Sequence, residues 1–246
     1  MKVFFFDVDG TLLPSYHQTV LQETIEALEE LRKRGNKIVL CTGRGKEELN
    51  FTDYIFDGYI LLNGQFCVDD KMEPYYVNPI MGNDLQELIR VFESRVIPVV
   101  LTEENQVYMN FHNDYVREVS KEISIAPHPV GEYTGGEIYM ATVYAREQMR
   151  IGALRADRWH DWAFDTYPDG GGKARGMKEF CQKYRIDIRD TIAFGDAEND
   201  VEMIRQAGLG IAMGNAYESV KEAAEYVTTD AAENGIINAL EHFDLL

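Results

Sequence analysis

The chain has 246 residues, 45% of them hydrophobic, and a formal net charge of −18. That is enough apolar material to fill the core of one large domain or two modest ones, while the acidic excess argues against unaided binding to nucleic acid or anionic membrane, where cations must displace counterions. Cys41, Cys67 and Cys181 are odd in number, widely spaced and without a CxxC pair, which points to core thiols in a reducing compartment and away from a zinc site.

The first element is Val3-Phe-Phe-Phe6, an apolar run that predicts a strand buried on both faces, as in a parallel sheet covered by helices. It runs straight into Asp7-Val-Asp9-Gly10-Thr11. Strand alternation points Asp7 and Asp9 the same way, with Gly10 opening a tight turn. At an effective dielectric of ~20, unit charges about 4 Å apart interact by roughly 4 kcal/mol. The pair is therefore read as the holder of a cation, against the plainer reading of an acidic strand end before a glycine turn.

Thr19 with Gln22 makes a capping-box signature, and Leu21, Ile25, Leu28 and Leu31 recur at helical spacing until Gly35. Lys37 to Cys41 predicts a second buried strand, which ends in Thr42-Gly43-Arg44. Strand, helix, strand implies a right-handed crossover and a parallel sheet, so Asp7, Asp9 and Thr42 are expected to meet at adjacent carboxyl-side strand ends. Further on, Asn63-Gly64 behind Tyr59 to Leu62 fits a type I′ hairpin turn.

Asn78 to Gly82 and Pro168 to Gly172 are breaker clusters and are taken as linkers. They divide the chain into a discontinuous core, residues 1–79 and 168–246, and an insert, residues 80–167. The insert shows helical periodicity at Leu85, Leu88, Ile89 and Phe92, then strand-like runs at Val99 to Leu101, Val107 to Phe111 and Ile138 to Ala145, a mixed α/β texture. Tyr108, His112, Asn113 and Asp114 gather near one strand end, either as solvated loop or as groups that read a ligand. Trp159 and Trp162, with Phe164, are expected to pack the core of the insert, with a sugar-stacking platform as the other use of the tryptophans.

Beyond the second linker, Lys173 precedes a helix carrying Met177, Phe180 and Tyr184. Thr191 to Gly195 is a third buried strand ending at an acid, Asp196, and Val201, Ile204 and Ala207 mark a helix before Gly208. Leu209 to Met213 and Tyr226-Val227 read as short strands, and Ile236 to Phe243 as a closing helix. No run approaches the ~20 apolar residues of a spanning helix, and the N-terminal run is too short for a signal peptide, so a cytoplasmic location is expected.

Taken in order, Asp7-Val-Asp9-Gly10-Thr11, Leu40-Cys-Thr42-Gly43-Arg44, Lys173 beside a glycine run, and Gly195-Asp196-Ala-Glu-Asn199-Asp200 resemble the four motifs of the haloacid dehalogenase (HAD) superfamily. The insert between the second and third motifs resembles the Cof-like subfamily IIB phosphatases. The resemblance implies an α/β fold, a Rossmann-like parallel-sheet core with an inserted α/β C2-type cap that closes over the site. It also implies a Mg²⁺-dependent phosphatase of small phosphomonoesters such as sugar phosphates. Asp7 would be the nucleophile that forms an aspartyl phosphate, splitting one hard displacement into two, and Asp9 the acid and base. Mg²⁺, which prefers oxygen ligands, would take the carboxylates of Asp7 and Asp196 and the backbone carbonyl of Asp9.

Donors to the phosphoryl oxygens would be the Thr42 hydroxyl, the Gly43 amide, backbone amides near Val8 and Asp9, and the Lys173 ammonium. Asn199 would hold the phosphate or support Lys173, and Asp200 would orient metal-bound water or backbone from outside the ligand shell. Thr11 is either a hydrogen-bonding or a plain turn residue. Lys173 departs from the family's usual Ser-Lys-Gly, standing in Gly172-Lys173-Ala174, which leaves Arg175 and Lys178 as alternatives. Asn63-Gly64 also resembles a family feature on the core side of the entrance. A phosphomutase-like transferase acting on hexose phosphates is the alternative activity. Intact Asp7, Asp9, Thr42 and Asp196 weigh against an idle binding protein. The expected partner is a small phosphorylated metabolite, with no nucleic acid or membrane, for a monomer or homodimer.

Overall fold

The computed structural model describes residues 1–14, 19–54, 56–123 and 125–246. The chain forms two compact units, Met1–Tyr76 with Gly172–Leu246, and Val77–Gly171. The first elements in chain order are β1 (Val3–Phe6), α1 (Gln22–Lys33), β2 (Lys37–Cys41), β3 (Gly58–Leu61), β4 (Phe66–Asp69) and β5 (Pro74–Val77). The second unit contributes α2 (Gly82–Ser94), β6 (Val99–Thr102), β7 (Val107–Met109), α3 (Asp114–Glu122), β8 (Met140–Val143), β9 (Arg155–His160) and β10 (Ala163–Tyr167). The chain then returns with α4 (Lys173–Tyr184), β11 (Thr191–Gly195), α5 (Val201–Gln206), β12 (Leu209–Ala212), α6 (Glu218–Lys221), β13 (Tyr226–Val227) and α7 (Gly235–His242).

The first unit is built on an eight-stranded sheet in the order β13-β12-β11-β1-β2-β3-β4-β5. Neighbours from β13 to β3 run parallel, and β4 turns back antiparallel on β3. The central strand β1 is apolar at every position because both of its faces are covered. Phe5 meets Phe180 of α4 edge-on with ring centres 5.7 Å apart, and Phe6 stacks on Phe194 of β11 at 4.8 Å. Each such buried ring contributes roughly 1.5–3 kcal/mol by removal from water. From α1, Ala27, Leu28 and Leu31 are buried, as the helical spacing requires.

The capping box expected at Thr19 and Gln22 does not form. The helix starts at Gln22 itself, with Leu21 in the N-cap position and no side-chain cap, so Thr19 stands too far upstream and the Gln22 amide donates instead to Glu26 at 3.2 Å. The strand expected over Tyr226-Val227 is present, and the one expected over Leu209 to Met213 ends one residue earlier, at Ala212.

The second unit is a five-stranded antiparallel sheet in the order β7-β6-β8-β10-β9. Alternation along β6 sends Val99 and Leu101 to a cluster with Leu88 and Phe92 of α2 and with Phe164, while Val100 joins Met109 and Val116 and Val119 of α3 on the other side. The chain divides at residues 76/77 and 171/172, a few residues from the expected 79/80 and 167/168. Among the described residues no helix is long and apolar enough to cross a membrane.

Gly176 lies inside α4, where alanine is ordinarily favoured by about 1 kcal/mol. Here a Cβ would collide with the Ile60 side chain of β3. Gly176→Val is therefore expected to destabilise the protein by about 1–3 kcal/mol through overpacking. Thermal unfolding should show a Tm several degrees lower; an unchanged Tm would refute this account of the α4–β3 contact.

Candidate active site

The strand order reverses between β11 and β1, with β2 and β3 on one side of β1 and β12 and β13 on the other. Such a switch point leaves a crevice at the carboxyl ends of the strands, and three of the sequence motifs end there. Asp7 follows β1, its N–H donating to the Phe194 carbonyl at 3.1 Å. Thr42 follows β2, its N–H donating to the Ile60 carbonyl at 2.8 Å, and Asp196 follows β11.

Past Asp7 the chain folds back tightly: the N–H groups of Thr11 and Leu13 both donate to the Val8 carbonyl, at 3.2 and 2.8 Å. Gly10 takes φ +85°, and a Cβ there would collide with the Asp196 carboxylate, so the turn needs glycine for both conformation and space. The Thr11 hydroxyl donates to Asp196 Oδ1 at 3.1 Å, a bond across 185 residues rather than within the turn. Asn215 closes the arrangement: its amide donates to the Gly10 carbonyl at 2.8 Å, and its Oδ1 accepts from the Ala231 N–H at 3.0 Å.

The charge centre is Lys173, the first residue of α4 and 1% exposed. Its ammonium donates to Asp7 Oδ1 at 2.5 Å and Asp200 Oδ1 at 2.7 Å. Asp200 Oδ2 accepts the N–H groups of Asp196 and Ala197, both at 3.1 Å, so the Asp200 side chain ties the loop after β11 to Lys173. Of the three candidate cations, Lys173 reaches Asp7, whereas Arg175 pairs with Glu179 at 2.6 Å and Lys178 is exposed. Burial alone would lower the Lys173 ammonium, but Asp200 and then Asp7 outweigh it and hold it well above the ordinary lysine range. Burial, reinforced by the Asp200 charge, pushes Asp7 well up, and the same two causes raise Asp196 to about 7.

One carboxylate oxygen from each of Asp7, Asp196 and Asp200 lies within 4.8 Å of the others. Three carboxylates gathered around the single Lys173 ammonium exceed what it can balance when all are ionised. Hard oxygen donors with that excess fit a divalent cation.

Strand alternation was expected to point Asp7 and Asp9 the same way; in the structure the two differ in burial and in partner. Asp7 is 4% exposed, whereas the Asp9 side chain is 62% exposed and faces Arg44, whose Nε and Nη2 donate to its two oxygens at 2.9 and 2.6 Å. β1 stops at Phe6, so the period of two no longer governs Asp9. In the second motif, the buried Thr42 hydroxyl oxygen accepts the Arg44 N–H at 3.0 Å. The Gly43 backbone lies under the Asn63 side chain.

Asn63-Gly64 is not a two-residue type I′ turn. Leu61 pairs with Phe66, so the loop has four residues, and Leu62, Asn63 and Gly64 all take positive φ, 51°, 51° and 83°. The turn around Thr42 imposes this: the Leu62 N–H donates to the Arg44 carbonyl at 3.2 Å and the Asn63 N–H to the Thr42 carbonyl at 3.0 Å. Asn63 Oδ1 accepts from Asn199 at 2.9 Å, while Asn199 Oδ1 is buried without a hydrogen-bond partner. The links made by Arg44, Asn63 and Asn215 were not anticipated. Arg44 stood inside the second motif and Asn63-Gly64 resembled a family feature at the entrance, but neither signal named these partners, and Asn215 offered none.

The residues singled out in the insert do not converge. Tyr108 is buried and donates to Glu103 at 2.8 Å, the exposed His112 ring meets the His128 carbonyl at 2.8 Å, and Asn113 caps α3 by accepting the Val116 N–H at 3.0 Å. Asp114 is exposed in the first turn of the same helix. Phe164 lies in the core of the unit, but Trp159 does not: it is 36% exposed and donates to Asp165 at 3.1 Å, since its strand β9 turns that position outward. Trp162 stacks on Tyr115 at 4.5 Å.

A mostly parallel sheet with an acidic, lysine-bridged centre at its switch point and an α/β unit inserted between the second and third motifs defines a hydrolase of the HAD type. The chain belongs to the haloacid dehalogenase-like hydrolases, which it matches over residues 4–240, with the organisation of the Cof-like subclass IIB phosphatases. It is 41% identical over all of its length to 96% of the 5-amino-6-(5-phospho-D-ribitylamino)uracil phosphatase YcsE of Bacillus subtilis. Among solved structures, the HAD phosphatase BT1666 of Bacteroides thetaiotaomicron superposes with a TM-score of 0.92 at 31% identity, covering 100% of this chain and 96% of that one. The subclass IIB sugar phosphatase BT4131 gives 0.91 at 30%, with both chains covered completely. The protein is an enzyme, a HAD-type hydrolase of phosphoric monoesters.

Because the folded protein holds a proton on Asp196 up to about pH 7 while the unfolded chain releases it in the ordinary carboxylate range, this group stabilises the fold at low pH. That contribution fades as pH rises through the folded value. In urea unfolding with a chelator present, the stability of Asp196→Asn relative to wild type should therefore grow between pH 5 and pH 7.5. A difference that stays flat or shrinks would refute the assignment.

Proposed function

We propose that the protein is a Mg²⁺-dependent phosphatase of phosphorylated sugars, sugar alcohols and similar small metabolites, working through a phosphoryl group carried on Asp7. The observation that carries this is the pairing of one buried carboxylate, Asp7, with the Lys173 ammonium at a centre that gathers two further carboxyl groups, Asp196 and Asp200. Asp7, Asp196 and the Asp9 carbonyl are the ligands proposed for Mg²⁺, and Asp200, whose oxygens already serve Lys173 and the loop amides, orients the centre from outside that shell. When bound, the cation would neutralise the excess charge and polarise the phosphoryl oxygens.

The chain's own groups supply the rest. Asp7 attacks phosphorus and the bond to the leaving oxygen breaks, with Asp9 giving that oxygen a proton. Water then attacks the phosphoryl group on Asp7, and Asp9 takes the proton back. Lys173, the Thr42 hydroxyl, the Gly43 amide and the amides near Val8 and Asp9 stand as donors to the transferring oxygens. Asn199 belongs to the same reading, as a phosphate ligand through its amide N–H groups, which already reach Asn63, or as a support for Lys173 through its buried, unpartnered oxygen. Val77–Gly171 is the proposed cap, the part that selects the leaving group. The sugar-phosphate assignment draws on the sugar phosphatase BT4131 and on YcsE, whose named substrate carries its phosphate on a ribityl chain.

Asp7→Asn is expected to fold normally and to lose at least about 10³-fold in kcat on a generic aryl phosphate, since nucleophile and acceptor are removed together. Turnover at the wild-type rate would rule the mechanism out. Chelation should abolish phosphate release and Mg²⁺ restore it. A panel of sugar phosphates, polyol phosphates, nucleotides and cofactors with Mg²⁺ identifies the leaving group; conversion of a hexose 1-phosphate to its 6-phosphate without free phosphate would instead establish a phosphomutase.

A further inference from the structure

All three guanidinium nitrogens of Arg44 are engaged within the first unit. Nε and Nη2 grip the two oxygens of Asp9 at 2.9 and 2.6 Å, and Nη1 donates to the Glu48 carbonyl at 3.2 Å. The flat cation also lies over the Phe51 ring, with Cζ 5.3 Å from the ring centre. Its backbone is fixed as well, the N–H on Thr42 Oγ1 and the carbonyl accepting the Leu62 N–H at 3.2 Å. Arg44 is thus the more anchored partner, its side chain 21% exposed against 62% for Asp9.

A two-pronged arginine–carboxylate pair fixes the plane of the carboxylate as well as its place, which a lysine, as a point charge, does not. A residue meant to grip substrate phosphate would keep that fork turned to the substrate; here both prongs are on Asp9. We infer that Arg44 is a positioning residue for Asp9, aiming its carboxyl group for proton transfer. The inference rests on the reading of Asp9 as acid and base. In the first half-reaction the Asp9 proton passes to the bridging oxygen as the phosphorus–leaving-group bond breaks and the Asp7–phosphorus bond forms. In the second, the water proton passes to Asp9 as the water–phosphorus bond forms and the Asp7–phosphorus bond breaks, so Asp9 ends as it began. An exposed carboxyl group that must meet two different oxygens in turn needs an external hold on its orientation.

The test compares kcat/KM, which reports steps up to loss of the leaving group, on glucose 6-phosphate and on 4-nitrophenyl phosphate, whose nitrophenolate leaves without a proton. General acid catalysis is worth about 10²–10⁴, so Arg44→Met should lose about tenfold or more on the sugar phosphate and less than about threefold on the aryl ester. Arg44→Lys, which keeps charge and bulk, should show the same split at smaller size and covers the case in which Arg44→Met fails to fold. Adding Arg44→Met to Asp9→Asn should cost nothing further on the aryl ester. Equal losses on both substrates, or a further loss in the Asp9→Asn background, would overturn the inference by placing Arg44 on the phosphoryl group or in the fold. A wild-type protein that releases no phosphate, or an Asp7→Asn variant that turns over normally, would overturn the parent reading and this inference with it.

Discussion

The ammonium of Lys173, out of water and shared between Asp7 and Asp200, is the contact around which the first unit is arranged. Neither side could remain charged alone at that depth, since an unpaired ion in the interior carries a desolvation penalty of several kcal/mol. Attraction to two carboxylates offsets the penalty for the lysine, and the lysine in turn makes two adjacent acids tolerable. Placing it there constrains backbone at some distance. Gly172 takes φ +107° ahead of α4, and Gly64 takes φ +83° with its Cα so close to the Gly172 carbonyl that a side chain would collide with it. The loop that follows β3 and the start of α4 are thus fitted to each other so that one side chain can point at the end of β1.

Sheet order supplies the rest of the convergence. Asp7 and Lys173 are 166 residues apart and Thr11 and Asp196 are 185 apart, yet each pair is in hydrogen-bond contact. They meet because β11 and β2 flank β1 in parallel register, Phe6 facing both Phe194 and Leu40, so the residues after all three strands emerge at one edge. A parallel sheet delivers its carboxyl ends together whatever lies between the strands in sequence. This is what lets a 95-residue unit, Val77–Gly171, sit in the middle of the chain without separating the motifs.

How much of this could be read beforehand follows the same physics. β1, β2 and β11 are buried on both faces and so are written as unbroken apolar runs, and their limits in the structure match the runs. By contrast β9, Arg-Ala-Asp-Arg-Trp-His, carries an apolar pattern too weak to call, because its pairing with β10 is made by backbone and its polar side chains hydrogen-bond along and across the strands, Arg155 to Asp157 within β9 at 2.9 Å and Trp159 to Asp165 of β10 at 3.1 Å. α3 escaped for a related reason, with only Val116 and Val119 as buried apolar residues in nine. Local signals failed where tertiary contacts overrode them: Thr19 looked like a cap but α1 began after it, and Asn63-Gly64 looked like a two-residue turn but Thr42 and Arg44 held the loop open. Within the site, the residue types were legible from the motifs, whereas the partnerships of Arg44, Asn63 and Asn215 depend on which strand ends are adjacent, which no local pattern encodes.

The two N-terminal aspartates show why that distinction matters. Read along the strand, their proximity suggested a mutual charge conflict for a cation to relieve. In the structure they have different settings: Asp7 is buried and pairs with Lys173, and Asp9 is exposed and pairs with Arg44, so each acid has a cation of its own. The conflict lies between Asp7 and the acids after β11, whose burial raises Asp196 to about 7. Two carboxyl groups placed in such different surroundings are suited to different work. In the proposed mechanism, the acid that forms a bond to phosphorus gains from a dry site in which a fixed ammonium sets its direction, because there electrostatic interactions are strongest and little reorganises on reaction. The acid proposed to exchange protons with a departing alcohol and then with water gains from lying at the wet edge. The residue between them, Val8, fully buried and accepting two backbone hydrogen bonds at its carbonyl, is the point at which the chain passes from one setting to the other.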